Sequence, residues 1–254
     1  MDYTIKVLGE IMEALKKQIK GKKTLVFLDL EGTQFSHEII AIGAVKCSIN
    51  TKGKISKFFK PKQFRIYVKP LGQIGRFVQN MTKIDEALLK EKGVSLVEAF
   101  EALADFIKEP LKDCAFLVFG SNDAKMIIDS INYSKPKNEN IGFEIVKNSI
   151  DYLAFISQFI KDDNGNNYSL VNYLKVFGVE PHGISHDPLN DAYDLMNLYI
   201  AMETKKDILL LEYLKVLQKQ KSFPTPIKKA ISKLTKGENV TSEEFLEDCK
   251  TYLE

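Results

Sequence analysis

The feature that most constrains the fold is the segment TLVFLDLE at residues 24–31, an apolar run that ends in two carboxylates and is followed by Gly32. A run of this length and composition is typical of a buried β-strand. Residues 39–49 and 64–69 predict two more strands, and the turn residues at 50–53 favour an antiparallel arrangement. These elements therefore predict the start of a β-sheet.

Farther along the chain, predicted strands alternate with predicted helices. The segments AFLVFG at 115–120 and FEIV at 143–146 predict two further strands. Helical periodicity predicts helices at residues 95–107, 124–130, 150–160, 168–177 and 189–203. This order of elements predicts an α/β fold with a mixed five-stranded sheet flanked by helices.

The chain divides into three predicted segments. Residues 1–23 place apolar side chains on one face of an amphipathic helix and lack the features of a signal peptide. Residues 24–204 contain the strands and helices of the main domain. Residues 205–254 form a lysine-rich helical extension, whose apolar positions could dock a protein partner, mediate self-association or cap the core.

The composition excludes several classes of protein. Apolar residues make up 44% of the chain and charged residues 28%, which is ordinary for a globular protein. No apolar run approaches the roughly 18–20 residues that span a bilayer, so no membrane association is expected. Cys47, Cys114 and Cys249 lie far apart, which argues against a disulfide framework or a zinc site and favours a cytoplasmic location.

Basic residues are concentrated in two stretches. Residues 52–69 contain seven basic residues and no acidic one, and residues 205–236 contain nine lysines against Asp207 and Glu212. Because the net charge of the whole chain is only +2, the remainder is acidic. Charge separated in this way suits a polyanion such as nucleic acid, although solvated surfaces give the same pattern.

Asp29 and Glu31 stand two positions apart in the first predicted strand, so their side chains project from the same face of the sheet. Two carboxylates at the end of an apolar strand repel each other, and their desolvation is costly. A divalent cation between them would offset this repulsion. The pair is therefore a candidate metal site, and the alternative is a strand end with two solvated acids.

Asp123 follows the predicted strand at residues 115–120 and precedes a helix. Side chains just beyond the carboxyl end of a parallel strand commonly face a ligand crevice. An aspartate before a helix is also a common capping residue. Asp123 is therefore a candidate for either role.

The third group of residues is the segment SHDPLNDA at 185–192. Asp187 is a favourable N-cap, and Pro188 fits the first helical position. His186 then precedes the cap and Asp191 is the fourth helical residue, an arrangement in which the two side chains pack together. An imidazole would thus lie beside a carboxylate, although a histidine before a helix commonly has only a structural role.

In this order the three groups resemble the motifs of the DEDDh 3′→5′ exonucleases, the family of proofreading exonuclease subunits and ribonuclease-T-like enzymes. The matching segments are DLEGT at 29–33, EIIAIGAV at 38–45, Asp123, the stretch 79–107, and H-x-x-x-x-D from His186 to Asp191. The resemblance extends over about residues 24–203. Gly32 stands where a threonine or bulky residue is common in the family, and Lys83 stands where glycine is usual.

The resemblance implies an RNase H-like fold and two divalent cations, Mg²⁺ or Mn²⁺. Asp29 would bridge both cations, Glu31 and Asp191 would hold the one that activates water, and Asp123 would hold the other. His186 would be the general base, since an imidazole ordinarily titrates near neutral pH. The implied reaction removes nucleoside 5′-monophosphates from the 3′ end of single-stranded DNA or RNA.

Four further residues are candidate contacts to the terminal nucleotide: Gly32, Thr33, Phe35 and Met81. The terminal base would pack near Phe35 or Met81, and Phe35 has the alternative of being a core residue. The alternative for the whole protein is a nucleic-acid-binding or scaffolding module of the same fold that is weakly active or inactive. DNA and RNA are not distinguished, because contacts to the 2′-hydroxyl depend on loop geometry.

Overall fold

The computed structural model of the protein describes residues 15–51, 53–56, 60–137 and 139–254. Within these residues, six strands form one sheet in the order β4-β3-β2-β1-β5-β6. The strands are β1 (Thr24–Gly32), β2 (Ile39–Ser48), β3 (Lys62–Val68), β4 (Gly93–Val94), β5 (Cys114–Val118) and β6 (Ser149–Asp151). The β1–β2 and β2–β3 pairs are antiparallel, whereas the β1–β5, β5–β6 and β3–β4 pairs are parallel.

Helices cover both faces of this mixed sheet. They are α1 (Arg76–Thr82), α2 (Glu86–Lys92), α3 (Leu96–Ile107), α4 (Asn122–Ser134), α5 (Glu139–Lys147), α6 (Tyr152–Ile156), α7 (Leu170–Val176), α8 (Pro188–Thr204), α9 (Lys206–Gln218), α10 (Thr225–Thr235) and α11 (Ser242–Leu253). Buried residues of α6, α7 and α8 form one apolar cluster with Leu25 and Phe27. Buried residues of α3, α4 and α5 form a second cluster with Val26 and Leu28. The predicted α/β fold is therefore confirmed.

The predicted number of strands is wrong by one. The described residues form six strands rather than five, because β4 and β6 contain only two and three residues and have no apolar run of their own. The helix predicted at 150–160 begins only at Tyr152, since β6 precedes it and Asp151 accepts a hydrogen bond from the Ala154 N–H as its N-cap.

The strand predicted at residues 143–146 is also wrong, because these residues lie in α5. The buried positions of α5 are Gly142 and Ile145, which are three residues apart, whereas Phe143 is exposed. That spacing is the period of a helix with one buried face. A segment of four residues, three of them apolar, is too short to distinguish a helix from a strand.

The alternation of β1 decides where its carboxylates lie. Leu25 and Phe27 face the cluster that includes α8, and Asp29 and Glu31 continue the same alternate series. Helix α8 packs against both β1 and β2. The two acids are therefore placed on the α8 side of the sheet, at the carboxyl end of β1.

The predicted N-terminal helix lies mostly outside the described residues. Residues 15–18 are helical, and Leu15 is fully buried in the cluster beneath α8. The C-terminal extension consists of α9, α10 and α11, and Leu209 of α9 is buried in the same cluster. The first helix of the extension thus packs on the core, while the domain boundary near residue 204 stays a prediction.

Part of the basic charge of the extension is paired within it. Lys229 of α10 contacts Asp248 of α11 at 2.7 Å, and Lys233 of α10 pairs with Glu244. The lysines of α10 therefore face an acidic helix as well as solvent. Among the helices that the structure describes, none has the length and apolar character needed to cross a membrane.

Candidate active site

At the end of β1, Glu31 is buried and Asp29 is half-buried, so the protein limits the access of water to both carboxylates. Burial, followed by the negative charges of Asp191 and Asp123, raises the pKa of the Glu31 carboxyl to about 8. The pKa of Asp29 is raised well above its ordinary value, first by burial and then by the charges of Asp123 and Asp191. The alternative of a strand end with two solvated acids is therefore wrong.

Asp123 reaches the same place from the start of α4. The N-cap of α4 is Ser121, so Asp123 lies inside the first turn and is not the helix cap. Its Oδ1 accepts a hydrogen bond from the Leu30 N–H at 3.0 Å, which joins α4 to β1 between the two strand acids. Burial raises the pKa of Asp123 to about 7, although the Leu30 N–H acts in the opposite direction.

The segment before α8 adds a histidine and a fourth carboxylate. Asp187 is the N-cap, since its Oδ1 accepts hydrogen bonds from the Leu189 and Asn190 N–H groups at 3.1 Å each, and Pro188 is the first helical residue. The predicted contact between His186 and Asp191 exists, but the donor is the His186 backbone N–H, at 2.9 Å from Asp191 Oδ2. Burial raises the pKa of Asp191 to about 6, although the hydrogen bond from the His186 N–H offsets part of the increase.

These five side chains line one cavity of about 510 Å³. Ligand atoms of Glu31, His186 and Asp191 lie within 4.8 Å of one another, and Asp29 and Asp123 line the same cavity. The side chains come from segments more than 150 residues apart in the sequence. The arrangement places four carboxylates and one exposed imidazole around a space open to a ligand.

The four candidate substrate residues do not line this cavity. Thr33 is buried, and its hydroxyl group contacts Ser36 Oγ at 2.9 Å and accepts a hydrogen bond from the Glu38 N–H at 3.0 Å. Phe35 is 70% exposed, so the alternative of a core residue is wrong. Met81 is half-buried on α1. The roles of all four residues in substrate binding stay predictions.

Packing explains why position 32 is occupied by glycine. A Cβ atom added at this position would lie 2.5 Å from the Sδ atom of Met126, which itself lines the cavity. The methionine thus occupies the space that a side chain at position 32 would need. Gly32 therefore affects the shape of the cavity through Met126.

Sequence reasoning missed several residues of the cavity wall: Phe119, Asn122, Met126, Ser169, Leu170, Val171 and Ser185. Asn122 and Ser185 could have been found, because each precedes a candidate catalytic residue. The three residues at the start of α7, Ser169 to Val171, carry no sequence motif that would indicate a site, because their approach to the cavity depends on how the helix packs.

The sequence profile of the exonuclease family, RNase_T, matches residues 26–199, well over half of the chain. No sequence among curated proteins matches the chain significantly.

Solved structures share the fold at low sequence identity. The nuclease domain of 3'hExo, a DEDDh family member bound to rAMP, has a TM-score of 0.57 at 20% identity, over 73% of this chain and 93% of that one. Cell-death related nuclease 4 (CRN-4) has a TM-score of 0.57 at 17% identity, over 73% and 65%. Exonuclease I of E. coli, in complex with a dT13 oligonucleotide, has a TM-score of 0.53 at 16% identity, over 78% and 44%.

Proposed function

The chain belongs to the exonuclease family, and from this we propose that it is a metal-dependent 3′→5′ exonuclease of single-stranded DNA or RNA. The observation that carries the proposal is the convergence of Asp29, Glu31, Asp123, Asp191 and His186 on one cavity. These are the four acids and the histidine for which the DEDDh subgroup is named, and each comes from the element on which its motif was recognised.

The residues fit divalent cations. Burial raises the pKa of each of the four carboxyl groups, and neighbouring carboxylates add to this effect for Asp29 and Glu31, so the cluster holds negative charge only at a cost in free energy. Oxygen ligands of this kind suit Mg²⁺ or Mn²⁺. Asp29, Glu31, Asp123 and Asp191 would together hold the cations, since all four line the same cavity. When bound, the cations would supply positive charge to the phosphate and to the leaving 3′ oxygen.

Side chains of the cavity would transfer the proton and contact the nucleotide. The His186 imidazole is exposed at the cavity, so it can accept a proton from the attacking water and release it to solvent. Its backbone N–H is held by Asp191, which ties the position of the base to that of a metal ligand. Half-buried apolar side chains of Phe119 and Met126 offer contact surface for a nucleotide.

The substrate class follows from chemistry and from the structural neighbours together. One neighbour was solved with rAMP and another with a dT13 oligonucleotide. Cations held by these acids would act on the phosphate, a group that every nucleotide carries whatever its base. We therefore propose single-stranded nucleic acid as the substrate class, with DNA and RNA compared directly in the test.

The test uses 5′-labelled single-stranded DNA and RNA of equal sequence with Mg²⁺ or Mn²⁺. We expect a ladder of progressively shorter labelled products, and slower degradation when the 3′-hydroxyl is blocked by a phosphate. Immediate release of labelled mononucleotide would contradict the direction. Binding without any metal-dependent cleavage would instead support the inactive nucleic-acid-binding module.

A further inference from the structure

A row of three residues crosses the sheet beside the active site. Asp29 of β1 pairs with Gly43 of β2, and Gly43 pairs in turn with Arg65 of β3. Residues that pair directly across strands project from the same face of a sheet. On the α8 side, the row thus presents a carboxylate, a gap without a side chain, and a guanidinium group.

The start of α8 occupies this gap. A Cβ atom added to Gly43 would lie 2.1 Å from the carbonyl carbon of Pro188 and 2.4 Å from the Leu189 nitrogen. The first turn of α8 therefore rests directly on the backbone of β2. Asp191 on one side of this contact reaches the cavity with Asp29, and Asp187 on the other side reaches Arg65.

Arg65 holds the residue next to the proposed base. Its guanidinium group donates a hydrogen bond to Asp187 Oδ1, the same oxygen that accepts the Leu189 and Asn190 N–H groups. His186 precedes Asp187 and has a φ of 64°, a left-handed backbone conformation that residues other than glycine rarely adopt. Such a conformation persists only where its neighbours constrain it. Here Asp191 holds the His186 N–H, and Arg65 holds Asp187.

The choice of arginine supports this role. The chain contains 34 lysines and only two arginines, Arg65 and Arg76. A planar guanidinium group constrains the direction of a carboxylate more strongly than a flexible ammonium group does. Asp187 is also a further negative charge close to Glu31, and Arg65 is the cation that faces it.

We propose that Arg65 is a positioning residue for the exonuclease reaction: by holding Asp187, it fixes the start of α8 and places the imidazole of His186 beside Glu31 and Asp191. This inference rests on the proposed function. It predicts that Arg65 affects turnover although the residue does not line the cavity.

The test measures kcat and KM on a single-stranded oligonucleotide with Mn²⁺. We expect Arg65→Gln to lower kcat by about 10- to 100-fold, because small misplacements of a catalytic group have effects of this size, with KM little changed. Arg65→Lys should restore part of the loss. Asp187→Asn should act like Arg65→Gln, since asparagine remains a good N-cap but lacks the charge.

A double variant and a control make the test specific. The kcat of Arg65→Gln combined with Asp187→Asn should be no lower than that of the more severe single variant, because both changes remove the same contact. Lys147→Gln removes one lysine and its ion pair with Glu144, neither of which lines the cavity, and its kcat should match the wild type. An unchanged kcat in Arg65→Gln, a defect confined to KM, or additive losses in the double variant would overturn the proposal while the exonuclease function stands.

Hydrogen exchange separates this proposal from the proposed function. The amides of Leu189 and Asn190 donate to Asp187, so their exchange should accelerate in Arg65→Gln whether or not the protein cleaves nucleic acid. Faster exchange in a protein that shows no nuclease activity would contradict the proposed function and support the contact. Unchanged exchange of these amides would overturn the role of Arg65 in either case.

Discussion

Asp29 lies among the acids of the cavity, and burial, followed by the charges of Asp123, Asp191, Glu31 and Asp187, raises its pKa well above the ordinary value. Asp29→Asn keeps the size of the side chain and removes its charge, so cation binding should fail while repulsion within the fold decreases. We expect turnover to be abolished and the metal-free protein to melt at a higher temperature than the wild type at pH 8.

The matched control for Asp29→Asn is Asp105→Asn, which removes an exposed acid on α3. Cleavage of labelled single strands and thermal melting should both be unchanged in the control. Wild-type cleavage by the Asp29→Asn protein would show that the cavity is not the active site.

His186 contributes a side chain that the fold does not need. Its imidazole is exposed, and its contact with Asp191 uses the backbone N–H, which alanine retains. His186→Ala should therefore lower kcat by about 10²–10⁴-fold, the usual contribution of a general base, with little change in KM or melting temperature. Kinetics and melting on one preparation check this. A protein that melts earlier but turns over normally would assign His186 a packing role.

At the scale of elements, the end of α1 shows why glycine is usual in the family at the position of Lys83. Lys83 is the C-cap of α1 and has a φ of 62°, in the left-handed region where glycine is favoured. Lys83→Gly should stabilise the protein by about 1 kcal/mol, because the Cβ atom no longer opposes this conformation. Denaturant unfolding provides the measurement.

Lys90→Gly is the control for this change, since it makes the same replacement inside α2, at an exposed position. There glycine should destabilise the protein by about 1 kcal/mol. If both variants lose stability equally, the left-handed cap of α1 is not a source of strain.

At the scale of the whole molecule, the carboxylate cluster predicts how stability depends on pH. The pKa values of Glu31, Asp123 and Asp191 are raised to about 8, 7 and 6, whereas carboxyl groups of an unfolded chain titrate at about 4. Between these values the folded protein binds more protons than the unfolded chain, so the free energy of unfolding falls as the pH rises. The contribution is present in full below about pH 4 and is lost progressively as the pH rises from about 4 to about 8.

Thermal melting in the presence of a chelator measures this dependence. The metal-free protein should melt at progressively lower temperature from pH 5 to pH 8, and Mg²⁺ or Mn²⁺ should raise the melting temperature more at pH 8 than at pH 5. Glu31→Gln should reduce both effects. A metal-free melting temperature that is constant across this range would contradict the assignment of a strained acidic cluster.

The sequence by itself determined the features that depend on neighbouring residues. Apolar runs predicted β1, β2, β3 and β5, and the pair Asp187–Pro188 predicted where α8 begins, because strand burial and helix capping are local preferences. The order of three short motifs also identified five candidate catalytic residues. The short strands β4 and β6 escaped prediction, since two or three residues carry too weak a periodic signal. Within the nine residues of α5, the segment 143–146 was wrongly predicted as a strand, because four residues do not distinguish the two periods.

Only the tertiary structure decided which candidates meet. It showed that Asp123 is not a helix cap, that Phe35 is exposed to solvent, and that the backbone N–H of His186 donates a hydrogen bond to Asp191. It also joined Arg65 to Asp187 across 122 positions of sequence and seated Pro188 on Gly43. These contacts depend on the packing of α8 against the sheet, and no local preference specifies the distance between segments that are so far apart in the chain.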